Sequence, residues 1–303
     1  MADFTEVFVQ NIIPIFIVAA IGYGLRSRLG LDPKPLSAIV FYGLSPALVF
    51  SSLVETRLAA EELGRIALFA LLVTLTVGLI GAVLAKAARL GRPETAALLL
   101  CLMFVNSGNY GLTLNQLRYG EPGLARAVVY YIVSTILVYT LGSLIASLGR
   151  ADLRSSLRRL AGIPALYAVG LALLAYGLRV ELPAPLMSGI HVAGSGAIPL
   201  MLVILGMQLA GLREIRNLRL AGPAALGRLA VAPLIALLLA GWLGLEGLSR
   251  STSIIEASMP TAVITIILAT QFDLLPGLVT ATVLLSTLLS AVSLPIVISL
   301  LSL

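Results

Sequence analysis

The chain alternates long apolar runs with short polar connections. Ten of the runs are about 20 residues long, enough for an α-helix rising about 1.5 Å per residue to cross roughly 30 Å of bilayer hydrocarbon. We therefore predict an all-α integral membrane protein with ten transmembrane helices. The predicted spans are residues 4–25, 35–53, 63–87, 93–117, 123–148, 164–178, 185–211, 221–245, 252–271 and 275–301.

The second half of the chain repeats short motifs of the first half at a spacing of 152 to 154 residues. The pairs are Tyr23-Gly24-Leu25-Arg26 with Tyr176-Gly177-Leu178-Arg179, Pro46 with Pro199, Pro122-Gly123-Leu124 with Pro276-Gly277-Leu278, and Ser134-Thr135 with Ser286-Thr287. Five spans fall in each half, and an odd number of crossings inverts the second repeat relative to the first. We predict two inverted five-helix repeats, residues 1–148 and 164–303, joined by a linker, residues 149–163. Two related halves in a membrane protein usually indicate a transporter with its binding site between them.

Composition supports a membrane protein and excludes an ordinary soluble domain. The chain is 59% hydrophobic and 11% charged, with a mean hydropathy of +1.05, whereas soluble domains carry about 25% charged residues. The isoelectric point near 9.8 is explained by the membrane rather than by a nucleic-acid partner. A single cysteine, Cys101, excludes an internal disulfide. Residues 1–6 are acidic rather than basic, so no cleavable signal peptide is expected and the first span is retained.

Lysine and arginine are divided unevenly between alternate connections, with 14 on one side and 6 on the other. The larger set is Arg26, Arg28, Lys34, Lys86, Arg89, Arg92, Arg150, Arg154, Arg158, Arg159, Arg213, Arg216, Arg219 and Arg228; the smaller is Arg57, Arg65, Arg118, Arg126, Arg179 and Arg250. The positive-inside rule assigns the larger set to the cytoplasm. Both termini are therefore expected outside a cytoplasmic (inner) membrane.

The longest polar connection, residues 149–162, has an amphipathic pattern. Leu153, Leu157 and Leu160 share one helical face, with arginines largely opposite. The pattern favours an interfacial helix on the anionic inner leaflet that joins the two halves. A solvated basic linker is the alternative.

Helix-breaking residues interrupt the fourth and ninth spans at matching positions. The fourth contains Asn106-Ser107-Gly108-Asn109-Tyr110-Gly111, and the ninth contains Glu256-Ala257-Ser258-Met259-Pro260-Thr261. Backbone at this depth stays unwound only where protein or a water-filled cavity satisfies it. A lone interruption is more often an ordinary kink, but matching interruptions in both halves favour a functional break.

We predict that the two breaks form the substrate-binding site. The candidate residues are Asn106, Ser107, Gly108, Asn109, Tyr110, Ser258, Met259, Pro260 and Thr261. The second halves of the broken helices would bring their N-terminal ends together, and the unpaired N–H groups there suit a carboxylate. Asn106 to Asn109 are expected to cap the second half-helix of the fourth span.

Glu256 is the only carboxylate placed well inside a span and is the candidate ion-coupling residue. Pro260 lacks an N–H and is expected to free the Glu256 carbonyl as well. Burial disfavours the charged form of a carboxylate, so reversible protonation is plausible, and H⁺ is preferred over Na⁺ as the coupling ion. A structural pairing with Arg250 or the outer surface is the alternative. No other cofactor is expected.

Other polar residues in the spans have simpler interpretations. His191 has the chemistry of a proton relay but is more often a packing residue near a helix end. Arg228 could attract an anion, although snorkelling to the inner interface is the preferred interpretation. Asn115 and Gln116 end the fourth span and are expected to face water. Gly194-Ser195-Gly196 lacks a triad and indicates close helix packing.

The sequence resembles the auxin efflux carrier family, the bacterial relatives of the plant PIN transporters, over essentially its whole length. The motifs are Asn106 to Leu112 with Tyr119-Gly120, Pro199 and Gly206, Met259-Pro260-Thr261-Ala262 with Ala269 and Gln271, and Ser286-Thr287-Leu288-Leu289-Ser290 with Pro295. The resemblance implies ten helices in two inverted repeats, with the fourth and ninth helices broken and crossing. It implies transport of small organic anions by an elevator-like motion of a crossover domain against a scaffold. It also implies that Asn106 contacts the substrate carboxylate.

A more distant resemblance is to the bacterial bile-acid sodium symporters, through Ile255-Glu256-Ala257-Ser258-Met259. In those proteins the glutamate helps to hold sodium. The positions that would supply hydroxyl ligands on the fifth helix are Ala127 and Tyr131 here. The resemblance therefore implies at most a partial sodium site at Glu256.

These observations favour a secondary active transporter of small carboxylates that is embedded in the lipid bilayer. An intramembrane enzyme would need a nucleophile and base or a metal cluster, and the sequence shows neither. A channel or a receptor on a transporter fold is the other alternative. Substrate identity, H⁺ or Na⁺ coupling, direction and oligomeric state, including a homodimer, stay open.

Overall fold

The computed structural model describes residues 4–56, 58–147, 160–178, 182–211 and 218–301. Over these residues it is helical, with one isolated β-bridge and no strand, which agrees with the predicted all-α class. The predicted linker, residues 149–163, falls mainly on residues 149–159, which lie outside the described part of the chain. An interfacial helix there stays a prediction.

The helices are numbered here in chain order. They are α1 Phe4–Leu29, α2 Pro33–Thr56, α3 Ala60–Ala87, α4 Arg92–Met103, α5 Ser107–Ala146, α6 Pro164–Gly177, α7 Ala184–Ala210, α8 Leu218–Trp242, α9 Gly247–Ala257, α10 Ile264–Gln271 and α11 Pro276–Leu301. Seven of these described helices, α1, α2, α3, α5, α7, α8 and α11, are long and apolar enough to cross a membrane. α6 is a shorter apolar helix. The protein is therefore a multi-pass membrane protein.

Local sequence explains where several helices begin and end. Proline occupies one of the first positions of α2, α4, α6 and α7, where its missing N–H costs nothing. The Asp32 side chain accepts a hydrogen bond from the Lys34 N–H at 3.1 Å and caps α2. Gly30 ends α1 with a φ of 67°, a left-handed conformation that suits glycine.

α5 comprises the second part of the fourth predicted span and the fifth predicted span as far as Ala146. Gly120 has φ 65° and ψ −159°, so the helix is kinked there, and Pro122 follows two residues later. The sequence placed the boundary between these spans at residues 117–123, and the kink lies inside that interval.

The buried apolar side chains form two clusters. The larger cluster joins α1, α3, α4, α8, α9, α10 and α11 with parts of α5 and α7. The smaller joins α2, α6 and α7 with one face of α5. α5 and α7 contribute to both, so the two clusters meet along them. The cavity described below lies at this meeting.

α7 packs against α1 and α2 at glycines. A Cβ built on Gly206 would overlap the Ala19 carbonyl oxygen in α1, and one built on Gly22 would overlap the Val203 carbonyl oxygen in α7. A Cβ on Gly194 would lie 2.9 Å from the backbone nitrogen of Leu48 in α2. Close packing at Gly194-Ser195-Gly196 is therefore confirmed, and glycines allow the same close approach between α1 and α7.

Candidate functional site

Both predicted helix breaks are present. α4 ends at Met103 and α5 begins at Ser107, while α9 ends at Ala257 and α10 begins at Ile264. The first break starts at Phe104, inside the apolar run that precedes the asparagines. Backbone pairing rather than side-chain polarity therefore sets where α4 stops.

The two breaks cross and pair with each other in antiparallel fashion. Val105 and Thr261 form the β-bridge. The Asn106 N–H donates to the Pro260 carbonyl at 2.8 Å, and the Ala262 N–H donates to the Phe104 carbonyl at 2.9 Å. Pro260 only has to accept at this position, so its missing N–H costs no hydrogen bond. Each break thus satisfies buried backbone groups of the other, as unwound backbone within a membrane protein requires.

A cavity of about 440 Å³ lies beside the crossing. Its walls come from α2, the first break with the start of α5, the later part of α5, α7, and the end of the second break with α10. The aromatic lining residues are Phe41, Tyr42, Phe104, Tyr131 and Tyr139, and the polar ones include Ser45, Asn106, Ser107, Asn109, Ser134, Thr135 and Gln208. The described lining residues include no Lys, Arg, His, Asp or Glu.

The cavity brings together some of the predicted substrate-binding residues and leaves others out. Asn106, Ser107, Gly108 and Asn109 line it. Tyr110 does not, because its ring packs edge-on against Phe16.

The second break also faces the cavity differently from the prediction. Ser258, Met259, Pro260 and Thr261 are buried and absent from the lining. Thr261 is turned inward, where its hydroxyl donates to the Cys101 carbonyl at 2.9 Å. Residues 262–264 and Ile267 line the cavity from this side instead.

Asn106 is the most distinctive polar residue of the cavity. The residue is 5% exposed, and its Nδ2 atom has no hydrogen-bond partner among the described residues. The expected side-chain cap is absent, although Asn106 occupies the N-cap position of α5. Asn109 is not a cap either, since it lies inside the π-helical turn Ser107–Leu112. A buried, unpaired amide facing a cavity is costly unless a ligand satisfies it.

Ser45 and Gln208 are functional candidates that the sequence argument missed. Both line the cavity, and the Ser45 Oγ and Gln208 Oε1 atoms are buried with no hydrogen-bond partner in the part of the chain that the structure describes. A polar residue inside an otherwise apolar span was the available clue in both cases. Without the fold, nothing separated these two from the other polar residues of the spans.

Glu256 is fully buried at the end of α9 and links the two breaks. Its Oε2 accepts from the Ser107 hydroxyl at 2.5 Å, and its Oε1 accepts from the Asn115 amide at 3.0 Å. A Cβ on Gly111 would overlap this carboxylate, so glycine makes room for it. Glu256 does not line the cavity, but its partner Ser107 does.

Two expectations around Glu256 are wrong. Its carbonyl is not freed by Pro260, because it accepts from the Met259 N–H at 3.2 Å. Asn115 does not face water, since it is fully buried and bonded to Glu256. Within the described part of the chain no salt bridge joins Glu256 to Arg250 or to another cation.

Arg228 does not snorkel to the inner interface, contrary to expectation. Its side chain is 1% exposed. Its guanidinium donates to the carbonyls of Leu102 at 2.6 Å, Met259 at 3.1 Å and Ala257. Arg228 therefore fastens the ends of α4 and α9 to α8, away from the cavity lining.

His191 lies apart from the site. Its side chain is 50% exposed, and its Nδ1 is 3.5 Å from Glu55 Oε1. It does not line the cavity. The structure therefore does not bring a proton relay at His191 to the candidate site.

Crossed helix breaks beside a cavity, in a multi-pass helical protein, are typical of membrane transport proteins. Comparison with known sequences agrees, because the membrane transport protein family model matches residues 7–298. The chain belongs to this family, the auxin efflux carrier family indicated by the sequence resemblance.

Two archaeal relatives match over most of their length. An uncharacterized transporter of Methanothermobacter thermautotrophicus is 28% identical over 295 residues, covering 95% of this chain and 96% of that protein. An uncharacterized transporter of Methanocaldococcus jannaschii is 24% identical over 261 residues, covering 84% of this chain and 85% of that protein. Neither name states a substrate.

Proposed function

We propose that the protein is a secondary active transporter of small organic anions, in which substrate binds in the 440 Å³ cavity and Glu256 couples transport to protons. The observation that carries the proposal is the unpaired Asn106 amide facing this cavity at the crossing of two interrupted helices. An anionic oxygen placed against it would satisfy a buried donor that otherwise has none.

The N-terminal turn of α5 adds to this anion site. The first N–H groups of a helix lack intrahelical partners and carry a partial positive charge. Residues 107–109 of this turn line the cavity beside Asn106. Amide dipoles alone balance one carboxylate better than two. The described lining includes five aromatic rings and no cationic side chain. We therefore favour monocarboxylates with an apolar body over dicarboxylates.

Coupling would act through the hydroxyl of Ser107. When Glu256 is ionised, the Ser107 O–H donates to it. When Glu256 carries a proton, the carboxylic acid donates instead, and the Ser107 proton is free to turn towards an anion in the cavity. Proton binding and anion binding then favour each other, which is the requirement for symport.

Other buried ionisable groups lie near Glu256 in the described part of the chain. Arg228 on α8 donates to the carbonyl of Ala257, which follows Glu256 in the chain, and Tyr130 on α5 belongs to the same buried cluster as Ile255 and Ala257. Asn115 and Ser107 are the direct partners of Glu256. Sodium at Glu256 is the alternative coupling ion. Two buried oxygens without a partner among the described residues, Asn115 Oδ1 and Ser253 Oγ, are candidate ligands. Asn115 contacts Glu256, and Ser253 lies three residues before it in the chain.

For the transport cycle we propose ten spans in two inverted repeats and an elevator motion. The glycine contacts of α7 with α1 and α2 support a scaffold made of these helices and α6. The crossed breaks and α3, α8 and α11 would move against it. Substrate would travel at the boundary, where the cavity lies.

Flux measurements test the function itself. The purified protein in proteoliposomes should take up a bound carboxylate with saturation at low turnover, and uptake should be faster with an inward proton gradient. A panel of benzoate, phenylacetate, indole-3-acetate, malonate and succinate, first ranked by thermal shift, would supply the substrate. Flux that rises linearly with concentration would indicate a channel and reject the proposal.

Asn106→Ala should weaken carboxylate binding by about 1–3 kcal/mol, the usual cost of losing a buried polar contact, or roughly 5- to 150-fold in Kd. Isothermal titration with the best ligand of the panel measures it. Asn11→Ala is the matched control, because Asn11 is a buried asparagine with an unpaired Oδ1 outside the cavity lining. Equal affinity in wild type and Asn106→Ala would remove Asn106 from the site.

The proposed orientation places the α3–α4 connection in the cytoplasm and the α2–α3 connection outside. Single cysteines at Lys86 and Glu61, both exposed, should be labelled by a membrane-impermeant thiol reagent from the cytoplasmic and external sides respectively. The buried Cys101 is first replaced by alanine. Labelling of position 86 in intact cells would reverse the topology.

A further inference from the structure

Two helix C-terminal ends converge on one buried cation. α4 ends at Met103 and α9 ends at Ala257. The Arg228 guanidinium contacts the Leu102 carbonyl of the first end, and the Ala257 and Met259 carbonyls at the second. It is the only described side chain that reaches both ends through hydrogen bonds to backbone carbonyls at this junction.

Electrostatics explains why a cation belongs there. The last carbonyls of a helix lack intrahelical partners, and each helix end carries about half a negative charge. Two such ends in a buried place repel each other. A free cation with oxygen ligands would relieve this repulsion, and a planar guanidinium with several N–H donors relieves it without leaving its chain.

The same contacts argue against a role for Arg228 in holding the substrate. Within the described part of the chain, all its hydrogen bonds go to carbonyl oxygens, and it does not line the cavity. It forms no salt bridge with Glu256 among the described pairs. Its charge therefore stabilises the carbonyl groups at the ends of α4 and α9 rather than an anionic ligand.

We propose that Arg228 is a tethered cation that holds the junction of α4 and α9 together in place of a sodium ion. The junction then needs no sodium for stability. The consequence for coupling, that protons at Glu256 drive transport, rests on the proposed transport function. The role of Arg228 in the stability of the junction does not, because stability is measured without transport.

Thermal unfolding in detergent tests the proposal. The wild-type Tm should be the same in sodium chloride and in choline chloride of equal ionic strength. Arg228→Ala should unfold at a lower temperature, and sodium or about 10 mM guanidinium should recover part of the loss. At tenfold over its Kd such a cation gives a Tm shift of about 2 °C for a chain of this length.

Arg126→Ala is the matched control. Its guanidinium bonds a carboxylate, Glu62, at a partly exposed position rather than a set of buried carbonyls. Neither cation should restore its stability. Rescue of Arg126→Ala to the same extent would show a general salt effect and would count against the proposal.

The remaining outcomes also decide the question. A sodium-specific rise in the wild-type Tm, or a folded Arg228→Ala protein indifferent to both cations, would overturn the proposal. If Arg228→Ala does not fold, Arg228→Lys keeps the charge and should fold and stay indifferent to sodium. A sodium response in Arg228→Lys would overturn the proposal too. If the wild-type protein shows no saturable flux while the Tm values respond to the cations as expected, only the proposed transport function is rejected.

Discussion

A Glu256→Gln protein is expected to exchange substrate across proteoliposome membranes at nearly the wild-type rate and to lose gradient-driven accumulation. Glutamine keeps both hydrogen bonds of the buried site: its Oε1 accepts from Asn115 and its Nε2 donates to the Ser107 oxygen. It therefore mimics the protonated glutamate but never releases a proton. A pH difference of one unit supplies about 1.4 kcal/mol per proton, or roughly tenfold accumulation. The variant should reach a ratio of about one.

The matched control is Glu246→Gln, which changes an exposed glutamate at the other end of the same helix. It should accumulate substrate as wild type does.

Ser107→Ala should make substrate affinity insensitive to pH, because the hydroxyl that transmits the protonation state is gone. Accumulation by Glu256→Gln under a pH or a sodium gradient, equal to wild type, would show that coupling lies elsewhere.

Sequence periodicity was sufficient for the class of fold and for the helix breaks. Apolar runs of about 20 residues are a one-dimensional property, and so are glycine, asparagine and proline in the middle of such a run. The break at Pro260 and the polar stretch from Asn106 follow directly. Glu256 stood out from the sequence as well, because it was the only carboxylate placed well inside a span.

The direction in which each break faces could not be predicted. The antiparallel pairing of Val105 with Thr261 decides it, since this pairing turns Thr261 towards Cys101 and presents Val263 to the cavity. Pairing between segments 156 residues apart leaves no periodic trace in either segment. The predicted substrate role of residues 258–261 was based on alignment with the first break, and alignment carries no information on orientation.

Long-range contacts also explain the errors at Arg228 and Asn115. An arginine two turns inside a span usually extends to the interface. Arg228 instead finds carbonyls that two other helices leave unpaired, at Leu102 and Ala257. Asn115 finds the Glu256 carboxylate. In each case the partner exists only after the breaks have crossed, so the local sequence favours the solvent-directed alternative.

Gly206→Ala is expected to be strongly destabilising, at about 3 kcal/mol or more. Alanine is otherwise favoured over glycine in a helix by about 1 kcal/mol. At Gly206 the added methyl group would occupy the space of the Ala19 carbonyl oxygen. That atom belongs to the α1 backbone, so the two helices must separate, and overpacking of this kind typically costs 1–3 kcal/mol before the lost contacts of neighbouring side chains are counted.

Gly189→Ala provides the comparison on the same helix, since no atom lies within 4 Å of a Cβ built there. It should be neutral or slightly stabilising. Gly22→Ala meets the Val203 carbonyl from the opposite side and should resemble Gly206→Ala. Thermal unfolding of the three variants in one detergent orders them. Equal stability of Gly206→Ala and Gly189→Ala would mean that α1 and α7 tolerate separation, and a rigid scaffold containing both helices would then lose its main support.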